Sequence, residues 1–366
     1  MPQDREGVAE KLGLEASPEK QASGFLSPRD ANSVVRKRES PGGDGADSGD
    51  LQPAAKKPSR ACAGMSGKIG DGQKDVEEFR NYEDSDRHSV VQRHYRMMRQ
   101  NQTVDYVQRM YKKFCWFEPD GKPIDREPHE MMEIWQAFEA LGDYVDSSDP
   151  DSEFPNIEHA FQTAEGIRAA GYPEWMQLIG LVHDIGKMMF KYGTPEEGME
   201  GTATGCQWAL GGDTWVVGCK LPEGACFPEF NRLNPDMSDP RYNTEMGMYT
   251  PGQGMETLMY AFGHDEYAYQ VVRHHRDQLV AKGHLKEDLI PDEGLAMLRY
   301  HSCYPWHNKG EYDRFMAPGD EKLKEAVLKF NRFDLYTKAD RRPDIPALWP
   351  YYQKLIDRFL PGKLAW

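Results

Sequence analysis

The stretch LIGLVHDIGK, residues 178–187, decides how this chain folds, because it places three ionisable groups at the end of an apolar segment. Its first five residues have the composition of the buried side of a helix, and no turn signal separates them from His183 and Asp184. Lys187 follows one helical turn after His183. A buried imidazole, carboxylate or ammonium is costly without a partner. The segment therefore predicts that these groups meet partners inside the folded protein.

Composition limits the classes of partner. The chain has 366 residues and a formal net charge of -15 at pH 7, so its surface as a whole repels nucleic acid and anionic membranes. No window reaches the roughly 18 apolar residues of a membrane-spanning helix, and the start, MPQDREGVAEK, has no apolar signal-peptide core. The six cysteines form no C-x-x-C pair, which favours reduced thiols and gives no thiolate metal site. We expect a cytoplasmic monomer.

Two regions differ in composition. Residues 1–73 are rich in Gly, Ser, Pro, Ala and charged residues and have almost no aromatic residues, which predicts a disordered polar extension. Aromatic residues are frequent from Phe79 to the last residue, and no second linker of similar composition interrupts them. We therefore expect one catalytic domain over residues 74–366.

The apolar spacing in this domain is helical. Helices are predicted over 103–117, 129–145, 157–170, 173–193, 266–275, 292–304, 321–340 and 347–360. Long polar connections rich in Gly and Pro separate them, chiefly 194–262, and Thr214–Val217 is the only plausible strand fragment. The pattern predicts an all-α bundle with long irregular loops and at most minor β structure.

Four of the eleven histidines lie at helix starts or inside apolar helices, together with two aspartates in the same setting. These six residues are His159, His183, Asp184, His264, His301 and Asp334. For the histidines in polar surroundings a surface role is sufficient: His88, His94, His129, His274, His275 and His284. A lone histidine on an apolar face is usually a hydrogen-bonded core residue, but one or two cations would satisfy all six groups together.

The kinds of ligand indicate the metal. Imidazole nitrogen and carboxylate oxygen without thiolate suit Fe, Mn, Zn or Co better than Ca or Mg. Four histidines and two aspartates exceed a single tetrahedral zinc site, so two metals bridged by a shared carboxylate is the natural count. Asp184, next to a histidine ligand, is the best placed bridge.

Two lysines add to this pattern. Lys187 follows His183, and Lys338 follows Asp334, by one helical turn, which places each pair on one helix face. An alternative interpretation of Asp334 and Lys338 is that they form an ion pair at the surface. Beside a metal pair, two ammonium groups would orient and polarise substrate oxygens.

Longer motifs around these residues carry a resemblance to known proteins. They are DSSDPDSEFPNIEHAFQTAEGIR, LVHDIGK, WALGGDTWVVGC, DPRYNTEMGMY, GHDEY, RYHSCYPWH and FNRFDLYTK, between FRNY near residue 80 and the final PGKLAW. The spaced pattern of His159, His183-Asp184 and Asp334 resembles the HD-domain superfamily of helical metalloproteins. The fuller set of motifs is similar to the myo-inositol oxygenase family.

This resemblance implies an oxygenase that converts myo-inositol and O2 to D-glucuronate and water at a mixed-valent Fe(II)/Fe(III) pair. It implies that His159, His183 and Asp334 hold one iron, that His264 and His301 hold the other, and that Asp184 bridges them. Lys187 would contact the substrate near the carbon that is oxidised. The other substrate-binding positions that the resemblance implies are Arg80, Asp146, Ser147, Ser148, Gly212, Asp213, His301, Ser302 and Lys338.

Two alternatives remain open at the level of the sequence. An HD-type phosphohydrolase would use the same metals to activate water, but it needs several Arg or Lys groups around a phosphate dianion. A scaffold of the same fold that binds a polyol or a partner without turnover is the other alternative. Such a scaffold would have little need for six polar groups inside apolar helices.

Overall fold

Helices and long loops make up the structure of this protein. The computed structural model describes residues 88–142, 144–149, 155–201, 205–286, 289–336 and 342–366, and these lie in one compact unit. The predicted extension over residues 1–73, and the predicted boundary after it, lie outside the described residues.

The α-helices of the described residues are α1 (His88–Asn101), α2 (Val104–Phe114), α3 (Ile134–Leu141), α4 (Asn156–Ala169), α5 (Glu174–Val182), α6 (His264–Ala281), α7 (Asp292–Tyr300), α8 (Tyr304–His307), α9 (Asp320–Tyr336) and α10 (Ile345–Phe359). Two short strands, β1 (Met131–Met132) and β2 (Leu364–Ala365), pair antiparallel, with Met131 opposite Ala365. The predicted all-α fold with minor β structure is confirmed. None of the described helices combines the length and the apolar character that crossing a membrane requires.

Five of these helices pack together in the centre of the unit. Helix α4 packs against α5 and α9, and α7 packs against α5, α6 and α9. Fully buried aromatic side chains, among them Trp215 and Trp306, belong to the same core cluster as the buried residues of these helices. Burial of large aromatic surface is the main contribution that such side chains make to stability. The ends of the central helices therefore meet in a rigid part of the protein.

The segment LIGLVHDIGK begins as helix and then tightens. Helix α5 ends at Val182, and a 3-10 helix runs from Ile185 to Lys191. A Cβ atom at Gly186 would lie 1.9 Å from the backbone oxygen of His264, so only glycine allows this turn to touch α6. The predicted continuous helix over 173–193 is wrong after residue 182, because the chain turns at His183 and Asp184.

Two other predictions need correction, and one helix was missed. Helix α3 covers only part of the predicted range 129–145, since Met131 and Met132 pair with the C-terminal strand and Gly142, with φ +45°, ends the helix. Thr214–Val217 forms no strand among the described residues, only an isolated bridge between Val216 and Tyr260. Helix α1 was not predicted at all.

Candidate metal centre

The six predicted ligands lie at helix ends that converge. His159 is in the first turn of α4, His183 directly follows α5, Asp184 precedes the 3-10 helix, His264 begins α6, His301 directly follows α7 and Asp334 is in the last turn of α9. All are buried except His159, whose side chain is 16% exposed. Residues 175 positions apart in the chain thus meet at one place.

One half of the cluster forms around Asp334. Its Oδ1 lies 2.9 Å from Nε2 of His159 and 3.3 Å from Nε2 of His183. Each of these three side chains offers one ligand atom, and the three atoms lie within 4.8 Å of one another, close enough to bind a single cation. These are the three residues to which the resemblance assigns one iron.

The other half forms around Asp184. Its Oδ1 lies 3.1 Å from Nε2 of His264 and 3.8 Å from Nε2 of His301, and these two nitrogens are 3.0 Å apart. The second oxygen, Oδ2, lies 3.6 Å from Nε2 of His183. Asp184 therefore faces both halves, as a bridging carboxylate must.

The imidazole rings are oriented to bind cations. Nδ1 of His183 donates to the backbone oxygen of Gly180 at 2.8 Å, and Nδ1 of His301 donates to that of Leu298 at 3.0 Å. In the neutral ring the Nε2 lone pair then points into the cluster, which is the usual arrangement of a metal-binding histidine. Nε2 of His183 is buried and has no hydrogen-bond partner within the described part of the chain. A lone pair in this position is satisfied by a cation.

The separations of the donor atoms agree with shared cations. Two donor atoms at about 2.1 Å from one ion and at a right angle to each other lie about 3 Å apart. The closest contacts in the two halves, 2.9 Å and 3.0 Å, have this value. The residues present therefore fit metal ions that are bound by nitrogen and oxygen.

Both aspartates stay ionised at neutral pH. Burial acts to raise the pKa of Asp184, but the charge of Lys187 and contacts with the surrounding imidazoles, among them His264 and His301, hold the pKa well below its usual range. Burial likewise acts to raise the pKa of Asp334, and contacts with His159 and His183 hold it well below the usual range. Carboxylates in this form are ready to bind a metal.

Lys187 lies beside the cluster, between two carboxylates. Its Nζ is 2.8 Å from Oδ2 of Asp184 and 2.8 Å from Oδ2 of Asp146, and it donates to Oδ1 of Asn156 at 3.0 Å. Burial acts to lower the pKa of Lys187, but the charges of Asp146 and Asp184 raise it above its ordinary value. The sequence paired Lys187 with His183; the 3-10 turn pairs it with Asp184 instead.

A cavity opens above the ligands. Its walls include Tyr95, Asp146, Ser148, Asp149, Asn156, Gln162, Lys187, Gly212, Ser302 and Tyr304, and its floor includes His159, Asp184, His264, His301 and Asp334. Six predicted substrate contacts therefore meet at one opening: Asp146, Ser148, Lys187, Gly212, His301 and Ser302. Hydroxyl, amide, carboxylate and ammonium groups are all present, and these are the groups that read the hydroxyls of a polyol.

Two other predicted contacts have side chains engaged elsewhere. The hydroxyl of Ser147 lies 2.8 Å from Nδ1 of His94. The carboxylate of Asp213 accepts from the backbone nitrogen of Cys226 at 2.9 Å and lies 3.5 Å from the guanidinium of Arg99. Arg80 and Lys338 lie outside the described residues.

Several wall residues were missed by the sequence reasoning. Asn156 and Gln162 lie three residues before and three residues after the predicted ligand His159 in α4, so the spacing alone could have indicated that they share its face. Tyr95 belongs to α1, which was not predicted. Two histidines that were expected at the surface, His94 and His275, are only 5% and 7% exposed.

Comparison with known proteins identifies the family. The family model described as "Myo-inositol oxygenase" matches residues 88–366. The chain is 41% identical over 296 residues to the "Inositol oxygenase" of Mus musculus, with 80% of this chain and 92% of the relative covered. It is 40% identical over 297 residues to that of Danio rerio, with 80% and 95% covered.

The chain belongs to the myo-inositol oxygenase family. A third relative supports the same assignment. The chain is 39% identical over 297 residues to the "Inositol oxygenase" of Dictyostelium discoideum, with 91% of that relative covered. The resemblance stated from the motifs is confirmed, and with it the class of enzyme, an oxygenase. The phosphohydrolase alternative is not favoured. The His and Asp groups described above give this myo-inositol oxygenase family member its candidate metal-binding residues.

Proposed function

We propose that this protein is an inositol oxygenase that cleaves the ring of myo-inositol with O2 and releases D-glucuronate and water. The observation that carries the proposal is the cluster at the floor of the cavity, where His159, His264, His301, Asp184 and Asp334 line the opening and the fully buried His183 lies behind them. Family relatives named inositol oxygenase support the same reaction.

We propose that two iron ions bind in this cluster. His159, His183 and Asp334 would hold one, His264 and His301 the other, and Asp184 would bridge them, in agreement with the contacts on each side of Asp184. Iron held by histidine and carboxylate with open positions supplies activation of O2. The same donor set gives a reason for the burial of these polar side chains, which would be costly without cations.

Lys187 would orient the substrate. An ammonium has three hydrogens, and the three acceptors Asp146, Asp184 and Asn156 lie within 3.0 Å of Nζ. A substrate hydroxyl that bonds to Lys187 must therefore replace one of them. The neutral amide of Asn156 makes the weakest of the three contacts, because the other two are charged.

The wall favours a neutral substrate. Among the described residues around the cavity, Lys187 is the one ammonium or guanidinium group, whereas four carboxylates are present: Asp146, Asp149, Asp184 and Asp334. Asp184 and Asp334 would be neutralised by the metal ions, so the walls themselves offer one cation, Lys187, and two carboxylates, Asp146 and Asp149. These groups can bond to hydroxyls, but they lack the several Arg or Lys partners that a phosphate dianion needs. This balance supports a polyol over a phosphate ester. We propose Arg80, Ser147, Asp213 and Lys338 as further substrate positions, by similarity alone.

The experiment combines metal analysis with product analysis. Iron per chain is measured in the reconstituted protein, and O2 uptake is then followed with and without myo-inositol while D-glucuronate is quantified. We expect two iron ions per chain, uptake that depends on myo-inositol, and one D-glucuronate per O2. EPR on the anaerobic protein should show a coupled mixed-valent pair whose signal changes when myo-inositol is added.

Other outcomes would refute the proposal. Release of phosphate from phosphate monoesters without O2 would favour the phosphohydrolase. Full activity with one iron per chain would show that Asp184 does not bridge two metal ions. His183→Ala should lose iron and activity while the far-UV circular dichroism stays helical. Retained activity in this variant would exclude the assigned metal centre.

Three broader proposals concern the whole chain. We propose that residues 74–366 form a single catalytic domain, that residues 1–73 are an extension without a catalytic role, and that the protein is a cytoplasmic monomer. The acidic net charge of -15 and the absence of a cysteine pairing motif in the sequence support this environment. Sedimentation of the purified protein and imaging of a tagged copy would test these statements.

A further inference from the structure

His94 joins two separate loops of the cavity wall. It lies in α1, is 5% exposed, and contacts Oγ of Ser147 through Nδ1 at 2.8 Å and the backbone oxygen of Gly211 through Nε2 at 3.1 Å. A carbonyl oxygen only accepts, so Nε2 must carry the proton and donate. The partners are 53 and 117 residues away in the chain, so no local rule brings them together.

The two loops also contact each other directly. We call residues 144–149 the serine loop and residues 207–213 the glycine loop. Oε1 of Gln207 accepts from the backbone nitrogen of Ser147 at 3.1 Å and from the hydroxyl of Tyr144 at 3.1 Å. A Cβ atom at Gly211 would lie 2.5 Å from the carboxylate of Asp146, so the loops are in close contact at this point.

His94 and its helix α1 also contact the backbone of the glycine loop at Gly212. Gly212 has φ +95°, and a Cβ atom there would lie 3.2 Å from Nε2 of His94 and 2.7 Å from Sδ of Met98. The backbone of Gly212 therefore lies on α1. The serine loop presents Asp146 and Ser148, and the glycine loop presents Gly212, to the same opening that Lys187 faces.

We propose that His94 is a positioning residue for substrate selectivity. Its imidazole fixes the separation of the serine loop and the glycine loop, and this separation sets which arrangement of ring hydroxyls can reach both loops and Lys187 at once. His94 contacts neither the ligands nor the substrate in this role; it acts through Ser147 and Gly211. The inference rests on the proposed function, since it assigns the selectivity of that site.

Three variants separate the two hydrogen bonds. His94→Leu removes both of them. The side-chain amide of His94→Asn lies near the position of Nδ1 and keeps the contact with Ser147, whereas that of His94→Gln reaches the position of Nε2 and keeps the bond to Gly211. His275→Leu is the matched control, because His275 is buried, bonds a backbone oxygen of Pro361 at 3.0 Å, and is not among the residues around the cavity.

The readouts are iron content, kcat and KM for myo-inositol, and the ratio of kcat/KM between myo-inositol and scyllo-inositol, which differ at one carbon. Loss of two ordinary hydrogen bonds corresponds to about a tenfold change or more in binding. We therefore expect His94→Leu to raise KM by about tenfold, to change kcat less, and to lower the selectivity ratio. His94→Asn and His94→Gln should each recover part of both effects, with normal iron content.

Each result decides between the possibilities. Unchanged KM and selectivity in the three His94 variants, with a loss of stability equal to that of His275→Leu, would show a structural role alone and overturn the inference. If His94→Leu fails to fold, the Asn and Gln variants carry the same comparison. A wild-type protein without inositol-dependent O2 uptake would refute the proposed function, whereas an active wild type with unselective effects in the His94 variants would refute only this inference.

Discussion

Lys187 is the residue on which the charge balance of the cavity depends. Its ammonium lies between Asp146 and Asp184, with both side chains of the Lys187–Asp146 pair largely buried, 6% and 12% exposed. The attraction between buried charges offsets the cost of removing them from water, so each charge is tolerated because the other is present. At the scale of one residue, the same lysine therefore contributes both to stability and to the site.

A double-mutant cycle tests this residue. Lys187→Met should lower the free energy of unfolding by about 3 to 5 kcal/mol, because it leaves buried carboxylates without their cation. Adding Asp146→Asn should recover part of that loss. Urea denaturation of the single and double variants gives the coupling energy. Independent, additive effects would show that the pair does not stabilise the protein.

Lys187→Met should also separate metal binding from turnover. We expect iron content near that of the wild type and a decrease in kcat of about a hundredfold or more, because the lost group stabilises developing charge on the substrate. Iron analysis and O2 uptake measure the two quantities on the same sample. Unchanged turnover would refute the role assigned to Lys187.

His275 provides a test of pH dependence. Burial lowers the pKa of His275 below its ordinary value and outweighs the opposing effect of the bond to the Pro361 carbonyl. The unfolded state then binds more protons than the folded state below about pH 6.5, so stability falls as the pH decreases through that value. His275→Gln lacks this titration. The stability difference between wild type and variant should therefore be larger at pH 8 than at pH 5 in urea denaturation, and a constant difference would contradict the prediction.

At the scale of elements, the turn after α5 is the feature that builds the centre. A regular helix through 173–193 would carry Lys187 past its partners, whereas the change to a 3-10 helix places it beside Asp184. Asp184 itself has φ -94° and ψ 0°, a sparsely populated conformation that is frequent at active sites. The 3-10 helix can contact α6 because Gly186 has no side chain.

Gly186→Ala should break this contact. The added Cβ would lie 1.9 Å from the His264 oxygen and 3.0 Å from the Ala268 nitrogen, and both atoms are backbone of α6. We expect a loss of about 2 kcal/mol or more in the free energy of unfolding, together with lower iron content, because His264 must move. Thermal denaturation and iron analysis measure the two effects.

Gly294→Ala is the matched control. Its Cβ would make ordinary contacts at 3.4 Å with the side chains of Ile179 and Trp175, and it lies in α7, where alanine is favoured over glycine by up to about 1 kcal/mol. We expect unchanged iron content and equal or higher stability. Similar losses in both variants would show that the contact between the 3-10 helix and α6 has no special importance.

For the whole molecule, the family match marks which part of the chain is shared with the relatives. The family model matches residues 88–366, and the relatives of Mus musculus and Danio rerio align with 80% of this chain while 92% and 95% of their own length is covered. The N-terminal part of this chain is therefore additional to what the relatives share.

Deletion of residues 1–70 tests the proposed division of the chain. The truncated protein keeps the predicted substrate residue Arg80, and we expect its kcat/KM to stay within about twofold of the full chain, because no shared motif is removed. Steady-state O2 uptake on both proteins measures this. A decrease of about tenfold or more would mean that the extension takes part in the reaction.

Sequence patterns predicted helices where the spacing of apolar residues was regular. The predicted starts of α2, α4, α7, α9 and α10 are each within two residues of the observed starts. In each of these helices buried apolar residues recur every three to four positions. Helix α1 was missed because its buried face, Val91, His94, Tyr95 and Met98, includes a histidine that counts as polar in such a pattern. The ends of α3 and α5 depend on β2 and α6, which are distant in the chain.

The sequence by itself determined the all-helical fold, the family and the six candidate ligands, because periodicity and motif identity are properties of neighbouring residues. Only the tertiary structure decided which atoms meet: Asp184 between two groups of histidines, Lys187 between two aspartates, and His94 between two loops. These contacts join residues up to 117 positions apart. They follow from how helices pack and where each one ends, and that information belongs to the whole chain.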